Sequence, residues 1–257
     1  IDALLVIGGY SAYEGIYTMM TERDRYPAFR IPTVCIPASI DNNLPGSELS
    51  IGTDTALNVI VEAMDKIKES GIASRRCFVV ETMGRDCGYL ALMSGIAAGA
   101  ERIYTNEDGI SLDDLANDVH WLRESFAHGR RLFLAVRNEN ASHNYTTDFI
   151  ARLLEEESHG MYDVRQVVLG HMQQGGSPSP FDRLLANRLG YRALNLIDDE
   201  LAAHQDGSWF IGVNESGMRP CSMDTMPSLI DAAHRRPREQ WWLQLRTIAR
   251  MVSDEVR

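Results

Sequence analysis

The segment Pro37-Ala-Ser-Ile-Asp-Asn-Asn-Leu-Pro-Gly46 follows the apolar run Thr33 to Ile36 and concentrates polar chemistry in Ser39, Ile40, Asp41, Asn42 and Asn43. A hydroxyl, a carboxylate and two amides in so short a loop suit an oxygen-rich small molecule at a strand end, where open α/β sheets hold ligands. They equally suit an Asx-rich turn that satisfies its own backbone. The residues alone leave both readings open.

Other apolar runs end in the same way. Glu81-Thr-Met-Gly-Arg-Asp-Cys-Gly88 follows Cys77 to Val80 and brings Met83, Gly84 and Arg85. Arg137-Asn-Glu-Asn140 follows Val136 and brings Glu139. Leu169-Gly-His-Met-Gln-Gln-Gly-Gly176 brings His171, Met172, Gln173 and Gln174. Each alone reads as a solvated loop. Taken together they predict one crevice, because an α/β sheet gathers such loops on one edge. Arginine forks match phosphate oxygens, while Glu139 and the amides of Asn43 and Gln174 suit sugar hydroxyls. The ligand class this predicts is a sugar phosphate. His171 fits a phosphate contact or a satisfied structural group. Gly8-Gly9-Tyr10-Ser11-Ala12 fits a phosphate cradle at a helix start or a plain strand-helix turn, and lacks the full dinucleotide or Walker pattern.

Alternating short apolar runs and amphipathic segments must position these loops. Strands are predicted at Ala3 to Ile7, Thr33 to Ile36, Cys77 to Glu81, Arg102 to Thr105, Leu132 to Val136, Val164 to Leu169 and Trp209 to Val213. Helices are predicted at Ile51 to Glu69, Tyr89 to Ala98, Leu112 to Phe126, Tyr145 to Glu156 and Asp182 to Ile197, with Ser111 before Asp113 and Asp114 as a helix start. The alternation implies an α/β fold with parallel sheets and right-handed crossovers. No linker interrupts it, so any two lobes should be interleaved. Ile1 enters almost directly into a strand, and upstream strands are expected to be missing.

The bulk numbers exclude several classes. A chain of 257 residues can bury a sizeable core as one large domain or two lobes. A net charge of −11 argues against nucleic acid or an anionic membrane as the main partner. No apolar run approaches a membrane span. Cys35, Cys77, Cys87 and Cys221 stand singly, as buried thiols of a cytosolic protein do, without the spacing of a zinc site.

These motifs, in this order, resemble the phosphofructokinases from about Leu4 through Leu245. Gly8-Gly9 resembles the nucleotide-side glycines, Ser39-Ile-Asp-Asn-Asn43 the catalytic loop, and Met83-Gly-Arg85, Glu139 and His171-Met-Gln-Gln174 the fructose-phosphate loops. Leu134-Ala-Val-Arg-Asn-Glu139, Asn144-Tyr-Thr-Thr-Asp-Phe149 and Glu239-Gln-Trp-Trp-Leu243 are similar to the carboxyl-terminal half of the long eukaryotic-type enzyme. That resemblance implies two interleaved Rossmann-like lobes, 1–52 with 173–225 and 53–172 with 226–257, the first being the incomplete, former nucleotide-side lobe. It implies a cytoplasmic glycolytic enzyme whose amino-terminal half phosphorylates fructose 6-phosphate with Mg2+ and ATP. This half would bind fructose 2,6-bisphosphate as an allosteric effector, with no cofactor or metal of its own, in a homo-oligomer of tetramer size or larger. Arg76 and Arg165 resemble arginines that reach a neighbouring subunit's site, and Arg235 resembles the late effector-site arginine.

The departures bear on chemistry. Catalytic members carry aspartates where this chain has Tyr10 and Asn43, and magnesium prefers carboxylate oxygens. Asp41 matches the catalytic base, so a degenerate or residually catalytic site stays open, as does a purely structural half. Ala38 stands where the pyrophosphate-using branch usually has lysine.

Overall fold

The computed structural model describes residues 1–71, 73–214 and 216–254. In chain order the elements are β1 (Leu4–Gly8), α1 (Tyr10–Thr21), β2 (Thr33–Pro37), α2 (Thr53–Gly71), β3 (Arg76–Thr82), α3 (Tyr89–Ala98), β4 (Arg102–Tyr104), α4 (Leu112–Ala127), β5 (Leu132–Asn138), α5 (Thr147–Glu156), β6 (Asp163–Val168), α6 (Pro180–Ala202), β7 (Ser208–Asn214), β8 (Gly217–Ser222), α7 (Met226–Leu229), the short strands β9 (Ile230–Asp231) and β10 (Arg236–Pro237), and α8 (Arg246–Asp254). The fold is α/β with parallel sheets, as the alternation implies.

The chain forms two compact units, Ile1–Thr55 with Pro178–Trp241, and Ala56–Ser177 with the segment from Trp242 on. The division departs from the expected lobes at three places, the smallest being residues 53–55, which fall in the first unit. Residues 226–241 belong to the first unit, because Met226 is buried beside Tyr10, Tyr13 and Phe210 and the Trp241 indole donates to the Glu48 carbonyl at 3.0 Å. Residues 173–177 stay with the second unit, where the Gln173 carboxamide receives the Met83 N–H.

In the first unit the sheet order is β1-β2-β7-β8, with only the β7–β8 pair antiparallel. Alternation along β2 sends Val34 and Ile36 toward Leu185, Leu189 and Ala193 of α6, and Cys35 toward Tyr13 and Ile16 of α1. Both faces are thus covered, and the strand reads as a continuous apolar run for that reason. β8 has no strand signal of its own: its Gly217 and Pro220 are poor strand formers. Pro220 is tolerated because β8 is an edge strand, paired only with β7.

In the second unit the order is β4-β5-β3-β6, parallel throughout. Leu115, Leu122 and Phe126 of α4 and Ile150 and Leu154 of α5 bury against Cys77, Val79, Phe133 and Ala135. The predicted start of α4 is a full capping box: the Ser111 hydroxyl accepts from the Asp114 N–H, and the Asp114 carboxylate from the Ser111 N–H. Those hydrogen bonds from Ser111 hold the Asp114 carboxyl below its ordinary range.

The parallel register fixes where the loops emerge. Gly8 pairs with Pro37, Thr82 with Asn138, and Glu81 with Val168. In each unit the polar loops therefore leave from the carboxyl edge of the sheet.

Candidate functional site

In the first unit the loop after β2 is largely closed upon itself. Ser50 and Thr53 hydroxyls donate to the Ser39 carbonyl at 2.5 and 2.9 Å, and the Asp41 N–H donates to the Ser39 hydroxyl. Asn42 is buried at a left-handed φ of 52°, its amide nitrogen donating to the Glu48 carbonyl at 2.7 Å and its oxygen accepting from Ser50. Asn43, also buried, donates to the Arg235 carbonyl at 3.0 Å. Ser39, Ile40 and Asp41 remain partly exposed. Two amides chosen for their polarity thus serve the loop's own architecture.

The loop's footing is a carboxylate from a distant helix. Asp182, buried in the first turn of α6, accepts from the Gly52 and Thr55 N–H groups and the Thr55 hydroxyl. Ser179 caps α6 and bonds Asp54 at 2.5 Å. Nothing local in the sequence announces these contacts.

Beside this loop, Gly8 allows α1 to start tightly against β1, since a Cβ there would lie 2.6 Å from that of Ala12. This favours the plain-turn reading of the paired glycines. Arg235 lies over the Tyr10 ring at 4.7 Å and pairs with Glu14 at 2.5 Å. Burial, then the nearby Glu14 carboxylate, push the Tyr10 hydroxyl upward. Glu14 was not singled out from sequence, although its place one helical turn after Tyr10 puts both on one face.

The second unit's loops are pinned differently. Arg137 is almost wholly buried and donates to Glu81 at 2.9 Å, to the Glu139 carbonyl at 2.9 Å and to the Ser142 carbonyl at 2.6 Å. Thr147 adds a short hydrogen bond to Glu81. Burial pulls the Arg137 guanidinium below its ordinary value while the Glu81 carboxylate pushes it back. Above this base the Glu139 carboxylate accepts from the Arg85 N–H at 2.7 Å, and Gln173, itself buried, accepts from the Met83 N–H at 3.1 Å. Gly84 and Arg85 both have positive φ, 126° and 49°. A Cβ on Gly84 would sit 2.4 Å from the Cys87 carbonyl oxygen, so only glycine fits.

The result is an exposed Arg85 side chain on a fixed root, whose guanidinium meets no acceptor among the described residues. His171 and Gln174 are exposed and share a 3.3 Å contact, and Met172 is exposed beside them. The structure thus joins Met83, Gly84, Arg85, Glu139 and Gln173 through hydrogen bonds on one edge. Asn138 and Asn140 join the same edge unforeseen, donating to the Met83 carbonyl and to Asp86. Arg76 lies elsewhere, at the amino end of β3, about 23 Å from Met83 at roughly 3.3 Å per residue. Arg165 is exposed midway along β6, 3.8 Å from Asp163.

Parallel α/β units with polar loops at the carboxyl ends of their strands define a class of small-molecule-handling proteins. The phosphofructokinase family model matches residues 1–197, and the chain belongs to that family. It is 43% identical to the platelet-type ATP-dependent 6-phosphofructokinase of Rattus norvegicus over 98% of this chain and 33% of that protein. To the human muscle-type enzyme it is 42% identical over 98% of this chain and 34% of the other. The chain spans about a third of the length of these relatives. The solved phosphofructokinase of Saccharomyces cerevisiae superposes with a TM-score of 0.95 at 34% identity, covering 100% of this chain and 35% of that one. A pyrophosphate-dependent phosphofructokinase from Marinobacter aquaeolei shares the fold at a TM-score of 0.71 and 18% identity, over 97% of this chain and 68% of the other.

Proposed function

We propose that this chain is the carboxyl-terminal, regulatory half of an ATP-dependent 6-phosphofructokinase and binds fructose 2,6-bisphosphate as an effector. The observation that carries this reading is Arg85: an exposed, unneutralised guanidinium whose backbone is held by Glu139 and whose loop is held by Gln173. Preorganised forks of this kind suit phosphate, since little ordering remains to be lost on binding. His171 and Gln174 supply further polar groups for the sugar, while Asn42 and Asn43 shape their loop from within. Arg76 and Arg165, away from this cluster, serve a neighbouring subunit's ligand in a homo-oligomer of at least tetramer size.

The activity of the whole enzyme, phosphorylation of fructose 6-phosphate in the cytoplasm, belongs in this reading to an amino-terminal half that holds Mg2+ and ATP. Tyr10 and Asn43 support the division, since neither offers a carboxylate to a hard cation. Asp41 favours a second reading, a residual kinase, because it is partly exposed on the loop that resembles the catalytic one.

Calorimetry with fructose 2,6-bisphosphate tests the proposal. Arg85→Ala should weaken binding at least about tenfold, the cost of losing hydrogen bonds to a charged group. Arg165→Ala should weaken it only in the assembled oligomer. Equal affinities for wild type and Arg85→Ala would overturn the assignment. Phosphorylation of fructose 6-phosphate by this chain, lost in Asp41→Ala, would establish the second reading instead.

A further inference from the structure

Arg235 is held at both its backbone and its guanidinium by residues of its own unit. Its guanidinium stacks over Tyr10 at 4.7 Å, pairs with the Glu14 carboxylate at 2.5 Å and donates to the Ser11 hydroxyl at 3.3 Å. Its carbonyl accepts from Asn43 at 3.0 Å, and its φ of 50° fixes the backbone in the left-handed region. Asn43 closes the Ser39–Asn43 loop, so the root of Arg235 is tied to the segment read above as a sugar-phosphate loop. The head is tied to α1.

The two ties differ in strength. The root is buried through Asn43, whereas the Arg235 and Glu14 side chains are 43% and 48% exposed. An ion pair so open to water contributes little and exchanges readily. A phosphate group carries more charge and more acceptor oxygens than one carboxylate, and matches the guanidinium fork equally well. The Tyr10 ring, 4.7 Å from the guanidinium carbon, holds the cation by its face and takes no place among the carboxylate acceptors, so exchanging the carboxylate for phosphate does not require that contact to break.

We propose that Glu14 is an internal stand-in for a ligand phosphate: it parks Arg235 over Tyr10, and the phosphate of a sugar bisphosphate displaces it. This deepens the sugar-phosphate reading and rests on it. The exchange makes Glu14 a regulator of affinity, because every ligand must first release the arginine from it.

The experiment is calorimetric titration of fructose 2,6-bisphosphate into the intact protein carrying Glu14→Gln, Arg235→Ala or both, with circular dichroism confirming the fold. Glu14→Gln should bind about two- to fivefold more tightly, the range released with an exposed ion pair. Arg235→Ala should weaken binding, and the gain from Glu14→Gln should vanish in the double variant. An unchanged or weaker affinity in Glu14→Gln, or a gain that persists without Arg235, overturns the stand-in role while leaving the sugar-phosphate site intact. No binding by the wild type or any variant overturns both.

Discussion

The two polar loop systems are built by opposite means. Around Ser39–Asn43 the polar groups are already partnered within the unit, with the buried Asn42 on the Glu48 carbonyl, the buried Asn43 on the Arg235 carbonyl, and the exposed Arg235 head on Glu14. Around Met83–Arg85 the inward work is done by residues beneath the loop, Glu139, Gln173 and Arg137, and the guanidinium of Arg85 is left over. A polar residue in a loop is therefore a poor guide to ligand contact. What matters is whether another residue already satisfies the backbone there.

The sharpest way to break that contrast is to remove the base of the second system. Glu81→Gln leaves Arg137, 2% exposed, without its counter-charge, and orphaning one member of a buried pair typically costs about 3–5 kcal/mol. Denaturant unfolding should show a fall of that order, whereas Glu14→Gln in the exposed pair of the first system should change stability by less than about 1 kcal/mol. Comparable losses from both would mean that the two systems are not built differently after all.

A smaller effect is expected at Gly84. Alanine there faces both a φ of 126° and the Cys87 carbonyl at 2.4 Å, and such strain costs about 1–3 kcal/mol. Because Arg85 is the next residue, sugar-bisphosphate affinity should fall further than stability alone accounts for. Unfolding midpoints and calorimetry on the same Gly84→Ala preparation separate the two. A stability loss with unaltered affinity would mean that the guanidinium does not depend on this turn.

How much of this was legible follows from range of contact. The parallel strands were readable because β3 and β5 are covered on both faces and so appear as unbroken apolar runs. The Ser111 cap was readable because its partner lies three residues away. The roles of Glu139 and Asp182 were not. Glu139 meets Arg85 across 54 residues and Asp182 meets Thr55 across 127, and no periodicity records either contact. The β8 strand was hidden for a related reason: its partner β7, rather than its own propensity, makes it a strand. The polar loops do stand at strand ends, as the apolar runs before them imply. Which of their side chains point inward was set by the distant partners.

Asn42 carries the smallest effect and the most pointed test of the contrast. It combines a left-handed backbone, which asparagine tolerates better than alanine, with hydrogen bonds to the Glu48 carbonyl and the Ser50 hydroxyl. Asn42→Ala should cost about 1–2 kcal/mol through strain and the lost hydrogen bonds to Glu48 and Ser50 together, although the Glu48 carbonyl keeps the Trp241 indole as a partner. Asn42→Gly relieves the strain but not the missing bonds, so it should recover only part of the loss in thermal or denaturant melts. Ligand affinity should stay close to wild type in both, because the amide is already committed to Glu48. A collapse of affinity with stability preserved would show the amide turned outward when ligand binds, and the first loop would then work as the second does.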